Sequence, residues 1–169
     1  VLPLKKCKKK ITGSVIVAVT VAVADQATKA VIVSWLVWGE ARTLIPGLFN
    51  IVYYKNTGAA FGIFASGGAS RTIFLTVVSL VALVIIAVLI HKSDDRRNAF
   101  ALSLIAGGAA GNLVDRLRYG SVVDFLDFHL GTLHWPAFNI ADSAITTGVL
   151  IMLYLSFFAS ETKTVKGSE

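Results

Sequence analysis

Charge is what this chain has least of. Lys, Arg, Asp and Glu together make up 15% of its 169 residues while 55% are hydrophobic, whereas charge is near a quarter in ordinary soluble domains. With a mean hydropathy of +0.72, this composition excludes a soluble globular domain and describes an integral membrane protein. Cysteine is nearly absent as well. Cys7 stands alone, so no internal disulfide can hold the fold. There is no HExxH or comparable ligand run among His91, His129 and His134, which argues against a zinc peptidase. No groove-reading motif accompanies the net charge of +6, so nucleic acid is not an expected partner. No internal repeat, low-complexity tract or long linker divides the chain, and one domain over 1–169 is expected.

What is present is a set of long apolar runs. At about 1.5 Å per residue, a bilayer core of about 30 Å needs about 20 of them. Four transmembrane helices are expected, over about 12–34, 72–90, 98–117 and 141–160. KKCKKK followed by an apolar run resembles a signal peptide, but it lacks a small-residue cleavage site and is taken as the start of the first span. Lys5, Lys6, Lys8, Lys9 and Lys10 precede that span, and Lys92, Arg96 and Arg97 lie between spans two and three. With Lys163 and Lys166 these make ten basic residues on one side against six on the other. The positive-inside rule then places both termini in the cytoplasm, with 35–71 and 118–140 outside.

The first outer segment changes character. LFNIVYY, at 48–54, is rich in β-branched and aromatic residues and is bounded by Pro46-Gly47 and by Asn56–Gly58. A small sheet lying on the membrane between helices 1 and 2 is expected. Trp35, Trp38, Tyr53, Tyr54, Tyr119 and Trp135 suit an interfacial aromatic belt.

Ionisable residues at the edge of hydrocarbon are costly and tend to mark function. The stretch from Gly107 to Asp142 holds most of them. Asp124 and Asp142 fall at the expected end of span three and start of span four, at similar depth. Two carboxylates brought together share a proton, one serving as base toward water and the other as acid toward a carbonyl. Spacing alone equally allows two unrelated helix-end acids.

Asp25 lies about 20 Å along the first helix, with Lys29 one turn on, and reads as an intramembrane ion pair with Lys29 reaching outward. Gly107, Gly108 and Gly111 permit close helix packing, and place Asn112, Asp115 and Arg116 in a crowded interior. Asn56 and Gly58 open TGAAFG, which reads as a turn or as a close approach to ligand. Asp124, Asp127, His129 and His134 could hold a metal, and Ser121 or Ser143 lacks a clearly placed base. A proton-coupled transporter is the rival from another class, but no inverted repeat or broken span supports it.

Five segments resemble the lipoprotein signal peptidases, the signal peptidase II family of bacterial membrane aspartic proteases. They are DQATK at 25–29, NTGAAFG at 56–62, GGAAGNLVDR at 107–116, VVDF at 122–125 and PAFNIADSAIT at 136–146. The resemblance implies four membrane helices with an extracytoplasmic β-cradle in the bacterial inner membrane. It further implies cleavage of diacylglyceryl prolipoproteins before the lipidated cysteine, with no cofactor, contact with membrane lipids, and inhibition by cyclic-peptide antibiotics. The catalytic pair falls on Asp124 and Asp142. Substrate-binding or supporting roles fall on Asp25, Lys29, Asn56, Gly58, Asn112, Arg116 and Asn139, and a structural role on Asp115. Phe61, Phe64, Phe125 and Phe138 are expected to form apolar walls.

Overall fold

Apolar runs without Pro or internal charge clusters become helices, and the polar ends become turns and strands. The computed structural model describes residues 2–58 and 68–158, with side chains from Lys10 in the first stretch and from Ala69 in the second. Within them lie helices α1 (Leu2–Trp35), α2 (Gly68–Lys92), α3 (Arg96–Tyr119) and α4 (Ile140–Phe158). Strands β1 (Ala41–Ile45) and β2 (Phe49–Asn56) follow α1, and β3 (Val122–Leu130) and β4 (Leu133–His134) separate α3 from α4. Phe61 and Phe64, most of the NTGAAFG segment, and Lys163 and Lys166 lie outside the described residues.

Among the described residues, three helices are long and apolar enough to cross a membrane: Lys10–Trp35, Ala69–Lys92 and Ile140–Phe158. Their side chains explain why. α2 exposes Ile73, Phe74, Val77, Leu80 and Val84 around its surface, as a helix facing lipid must. α3 is different. It packs on α1, α2 and α4 alike, and buries Ala101, Leu102, Ser103, Gly107, Gly108 and Gly111 along its length. A helix surrounded by protein needs small residues rather than large apolar ones, since close backbone approach replaces the hydrophobic drive that lipid does not supply.

That approach is close at Gly108, against the Ala141 carbonyl, and at Gly111, where an added Cβ would lie 2.6 Å from Oδ2 of Asp25. α3 then stops at Gly120, which takes the left-handed conformation at φ 68° and donates its N–H to the Arg116 carbonyl at 3.0 Å.

The sheet draws on both ends of the chain. Its strands run antiparallel in the order β1-β2-β3-β4. The expectation of a cradle formed between helices 1 and 2 is therefore too small, because the α3–α4 connection supplies two of the four strands, VVDFLDFHL of β3 and the short β4. The same finding moves Asp124 from a helix end to the third position of a strand.

A bulge in β2 decides which side chains meet. Asn50 pairs with Asp127 but Tyr54 pairs with Asp124, so β2 spends one residue more than β3 between those points. A one-residue shift moves later side chains to the other face. It lets Asn50 face Asp127 at 2.8 Å on one face and Asn56 reach Asp124 at 2.9 Å on the other.

Beneath the sheet, Ile32 of α1 and Leu36 just past its end pack on Tyr53, Val123 and Phe125. Two expectations change here. Tyr53 is 8% exposed and is a core residue rather than part of an aromatic belt, whereas Trp35, Trp38, Tyr54, Tyr119 and Trp135 are exposed. Phe125, expected as a wall of the site, is likewise buried in this core.

Gly111→Ala should destabilise the folded protein by about 1–3 kcal/mol through overpacking against Asp25. Gly13→Ala, with nothing within 4 Å of the new Cβ, should be neutral or slightly stabilising by helix propensity. Detergent-solubilised thermal unfolding of both variants checks the contrast, and equal behaviour would refute the close approach.

Candidate active site

Where the sheet meets the ends of α1, α3 and α4, polar side chains form one connected chain of hydrogen bonds. It begins with Lys29, which is only 3% exposed and lies 2.8 Å from Asp25 Oδ2 and 2.8 Å from Asp115 Oδ2. Lys29 therefore does not reach outward as its position suggested. Its Nζ instead donates to Asn112 Oδ1 at 3.0 Å, leaving all of its contacts inside the protein.

Each of those carboxylates also fixes backbone. Asp25 Oδ1 accepts the N–H of Ala141 at 2.9 Å, in the first turn of α4, and Asp115 Oδ2 accepts the N–H of Val123 at 2.9 Å, in β3. Orphan donors at a helix start need such partners. Gln26 links the two acids, donating to Asp115 Oδ1 at 2.8 Å, to the Gly111 carbonyl at 3.1 Å and to Asp25 Oδ2 at 3.4 Å. Sequence reasoning passed over Gln26; the available signal was an amide beside Asp25 in an otherwise apolar helix.

Two asparagines carry the order on to Asp124 and Asp142. Asn112 accepts from Lys29 through Oδ1, so its Nδ2 is left to donate to Asp142 Oδ1 at 2.8 Å. Asn139 is the N-cap of α4. Its Oδ1 accepts the N–H of Asp142 at 2.9 Å and its Nδ2 donates to Asp124 Oδ1 at 2.7 Å. Asn139 thus holds one aspartate by its backbone and the other by its side chain. The segment before it is pinned to β3, with the Phe138 carbonyl accepting from Phe125 and Leu126 at 3.0 and 2.9 Å.

The remaining oxygen of Asp124 faces Asn56. Gly58 donates its N–H to Asn56 Oδ1 at 2.8 Å, which turns Nδ2 toward Asp124 Oδ2 at 2.9 Å. Gly58 needs its left-handed φ of 79° for this turn. Arg116 is half-buried, its charge near Asp142, Asp115 and Asp124, but its hydrogen bond goes to Ser79 at 3.5 Å rather than to either aspartate.

Asp124 is 2% exposed. Burial pushes its carboxyl up from 3.8 to about 6, the amides of Asn56 and Asn139 pull it back, and the neighbouring Asp142 carboxylate adds to the rise. Asp127 differs: it sits low despite burial, because His134 and Asn50 hydrogen-bond to it. It serves the opposite face of the sheet, so the metal set of Asp124, Asp127, His129 and His134 is divided. Among the described residues no three His, Cys, Asp or Glu side chains form a cluster suited to a metal. Ser121 and Ser143 donate to the carbonyls of Tyr119 and Asn139, at 3.4 and 2.9 Å, and neither contacts a base.

Fold and site together define a helical integral membrane protein with a buried carboxylate centre at the junction of its sheet and helices. The family model described as Signal peptidase (SPase) II matches residues 17–158, and the chain belongs to that family. It is 47% identical over 146 residues to the lipoprotein signal peptidase of Desulforapulum autotrophicum, covering 85% of this chain and 90% of the relative. The lipoprotein signal peptidase of Burkholderia mallei is 42% identical over 139 residues, covering 82% and 83%. A bacterial membrane enzyme solved by the in meso method at 1.9 Å resolution superposes with a TM-score of 0.78 at 33% identity, covering 88% of this chain and 94% of that one.

Lys29→Met should cost about 3–5 kcal/mol, since it leaves Asp25 and Asp115 buried without their cation; a loss below about 1 kcal/mol by denaturant titration would contradict the network. The raised carboxyl of Asp124 has a definite sign. A folded-state value above the unfolded one contributes stability that is complete below the unfolded value and lost as pH rises through about 6. The Tm of Asp124→Asn relative to the wild type should therefore climb between about pH 4 and pH 7.5. A difference that stays constant across that range would show that Asp124 is unperturbed.

Proposed function

We propose that this protein is a membrane aspartic endopeptidase that removes the signal peptide from diacylglyceryl-modified prolipoproteins, cutting before the lipidated cysteine, with Asp124 and Asp142 as the catalytic pair. The observation that carries the reading is that one amide, Asn139, holds both aspartates, bonding the Asp124 carboxylate and the Asp142 backbone N–H, while Asn112 ties the Asp142 carboxylate to the buried Lys29. Carboxylates serving only as helix ends would not need a shared brace. The family membership and the names of the relatives support the substrate class.

In this mechanism the pair holds one proton between its members and titrates as a unit. The ionised carboxylate takes a proton from water as the water attacks the scissile carbonyl. The protonated partner donates to the developing oxyanion, and the proton gained by the base is later delivered to the leaving amine. Asn56, with Gly58 setting its orientation, holds Asp124, and Asn112 and Asn139 hold both acids at fixed aim. Arg116 offers positive charge beside the pair. Asp25, Lys29 and Asp115 support the site from below rather than touching substrate. Acyl chains add no preference for the enzyme over the bilayer, because the lipid is already in hydrocarbon. Discrimination then rests on the glyceryl and ester region and on the small residue before the cysteine. Cyclic-peptide antibiotics, implied by the resemblance, would compete at the same place.

The reading includes four spans, with α3 as the central one. Its burial by α1, α2 and α4 explains why it carries fewer apolar residues than the lipid-facing three. The carboxylate pair lies at the opposite end of the helices from Lys10, Lys92, Arg96 and Arg97. By the positive-inside rule that basic end and both termini lie in the cytoplasm, with the site at the outer face of the bacterial inner membrane. The whole of 1–169 acts as one peptidase domain.

Purified wild-type, Asp124→Asn and Asp142→Asn proteins, incubated with a diacylglyceryl prolipoprotein in detergent with and without chelator, provide the test. Each variant should lose about 10²–10⁴-fold in rate while remaining folded, and chelator should have no effect. Robust cleavage by either variant, chelator inhibition, or equal cleavage of a substrate lacking diacylglycerol would each overturn the scheme.

A further inference from the structure

At the end of the helices remote from the carboxylate pair, the positive charges are unequally employed. Arg97 is paired with Asp95 at 3.0 Å. Lys10 donates to the carbonyls of His91 and Ser93, at 3.0 and 2.6 Å, closing the C-terminus of α2. Arg96, exposed in the first turn of α3, has no carboxylate partner among the described residues.

Arg96 heads two apolar cavities. One, of about 250 Å³, lies between α1 and α3 and is lined by Gly13, Val17, Ala99 and Phe100, with Lys10 also at its wall. The other, of about 410 Å³, lies between α3 and α4 and is lined by Phe100, Ile151, Tyr154 and Leu155, with Arg97 beside Arg96. Arg96 and Phe100 belong to both. A single guanidinium standing over two apolar grooves that are divided by one aromatic ring has the shape of a phospholipid in reverse: one phosphate and two chains.

We infer that this end of the protein seats one anionic phospholipid, its phosphate on Arg96 and an acyl chain on either side of Phe100. Charge favours an anionic lipid over a zwitterionic one. Asp94 and Asp95 offset only two of Lys92, Arg96 and Arg97, and Lys10 adds a further cation at the groove. The sequence just before it adds Lys5, Lys6, Lys8 and Lys9. Basic pockets between membrane helices bind such headgroups, and arginine matches phosphate with two parallel N–H donors. The apolar lining of both grooves selects a membrane lipid over free phosphate.

Native mass spectrometry of the full chain in mild detergent, titrated with phosphatidylglycerol and separately with phosphatidylcholine, tests the seat. One phosphatidylglycerol should bind per protein, more tightly than phosphatidylcholine. Arg96→Gln should weaken it about five-fold, the usual worth of one basic residue near a headgroup. Gly13→Leu, whose side chain enters the groove where nothing lies within 4 Å of the Cβ position, should weaken it comparably without changing charge. Arg118→Gln, an equal loss of charge at the other end of α3, should leave binding unchanged, and all three variants should keep the wild-type Tm within a few degrees. Equal binding of the two lipids, or an Arg118→Gln effect as large as that of Arg96→Gln, would overturn the inference. So would a response to Arg96→Gln without one to Gly13→Leu, which would mean surface attraction only. Displacement by glycerol phosphate would reassign the cation to a soluble ligand.

Discussion

One ammonium group, that of Lys29, ties together most of what surrounds it. It is held within the interior of a membrane protein by Asp25 and Asp115, each at 2.8 Å, and it donates to Asn112. Through Asp25 it orders the first turn of α4, through Asp115 the first residues of β3, and through Asn112 the side chain of Asp142. Desolvating three charged groups is expensive, and the arrangement persists because the free oxygens are also hydrogen-bonded. A buried ion cluster of this kind is better suited to fixing one arrangement of the chain than to adding stability.

The second constraint is the bulge in β2. Strands place side chains alternately on two faces, so Asn50 and Asn56 would otherwise serve the same face while Asp124 and Asp127 serve opposite ones. The extra residue between Ile51 and Tyr54 resolves that mismatch. Both asparagines then meet an aspartate, in surroundings that drive the two acids apart: Asp124 is raised to about 6, while Asp127 is held low by His134 and Asn50. Bulges recur beside functional sites because they re-aim single side chains.

These polar devices are compatible with a membrane because α3 shields them. Its small residues admit α1 and α4 closely enough for Asp25 to pass against Gly111, and its polar residues within the bundle, Ser103, Asn112 and Asp115, are buried. The cost of that closeness is apolar surface, which the three outer helices supply instead. Packing and hydrogen bonding thus replace hydrophobic association inside the bundle.

The membrane class and the helical segments were legible in the sequence, and Asp124 and Asp142 stood out there as candidates, because apolar run length and the rarity of charge are local properties. So were Asp25 and Lys29 as an ion pair, since four residues of helix place them on one face. The strand at 122–130, the burial of Lys29, the core role of Tyr53 and Phe125, and the linking amide of Gln26 were decided only by the tertiary structure. Each depends on what another segment presents: β3 on β2, Lys29 on Asp115 in α3, and Asn139 on both aspartates at once. Local pattern reports which residues dislike lipid or water, but the partner that satisfies each one is fixed only when distant parts of the chain come together.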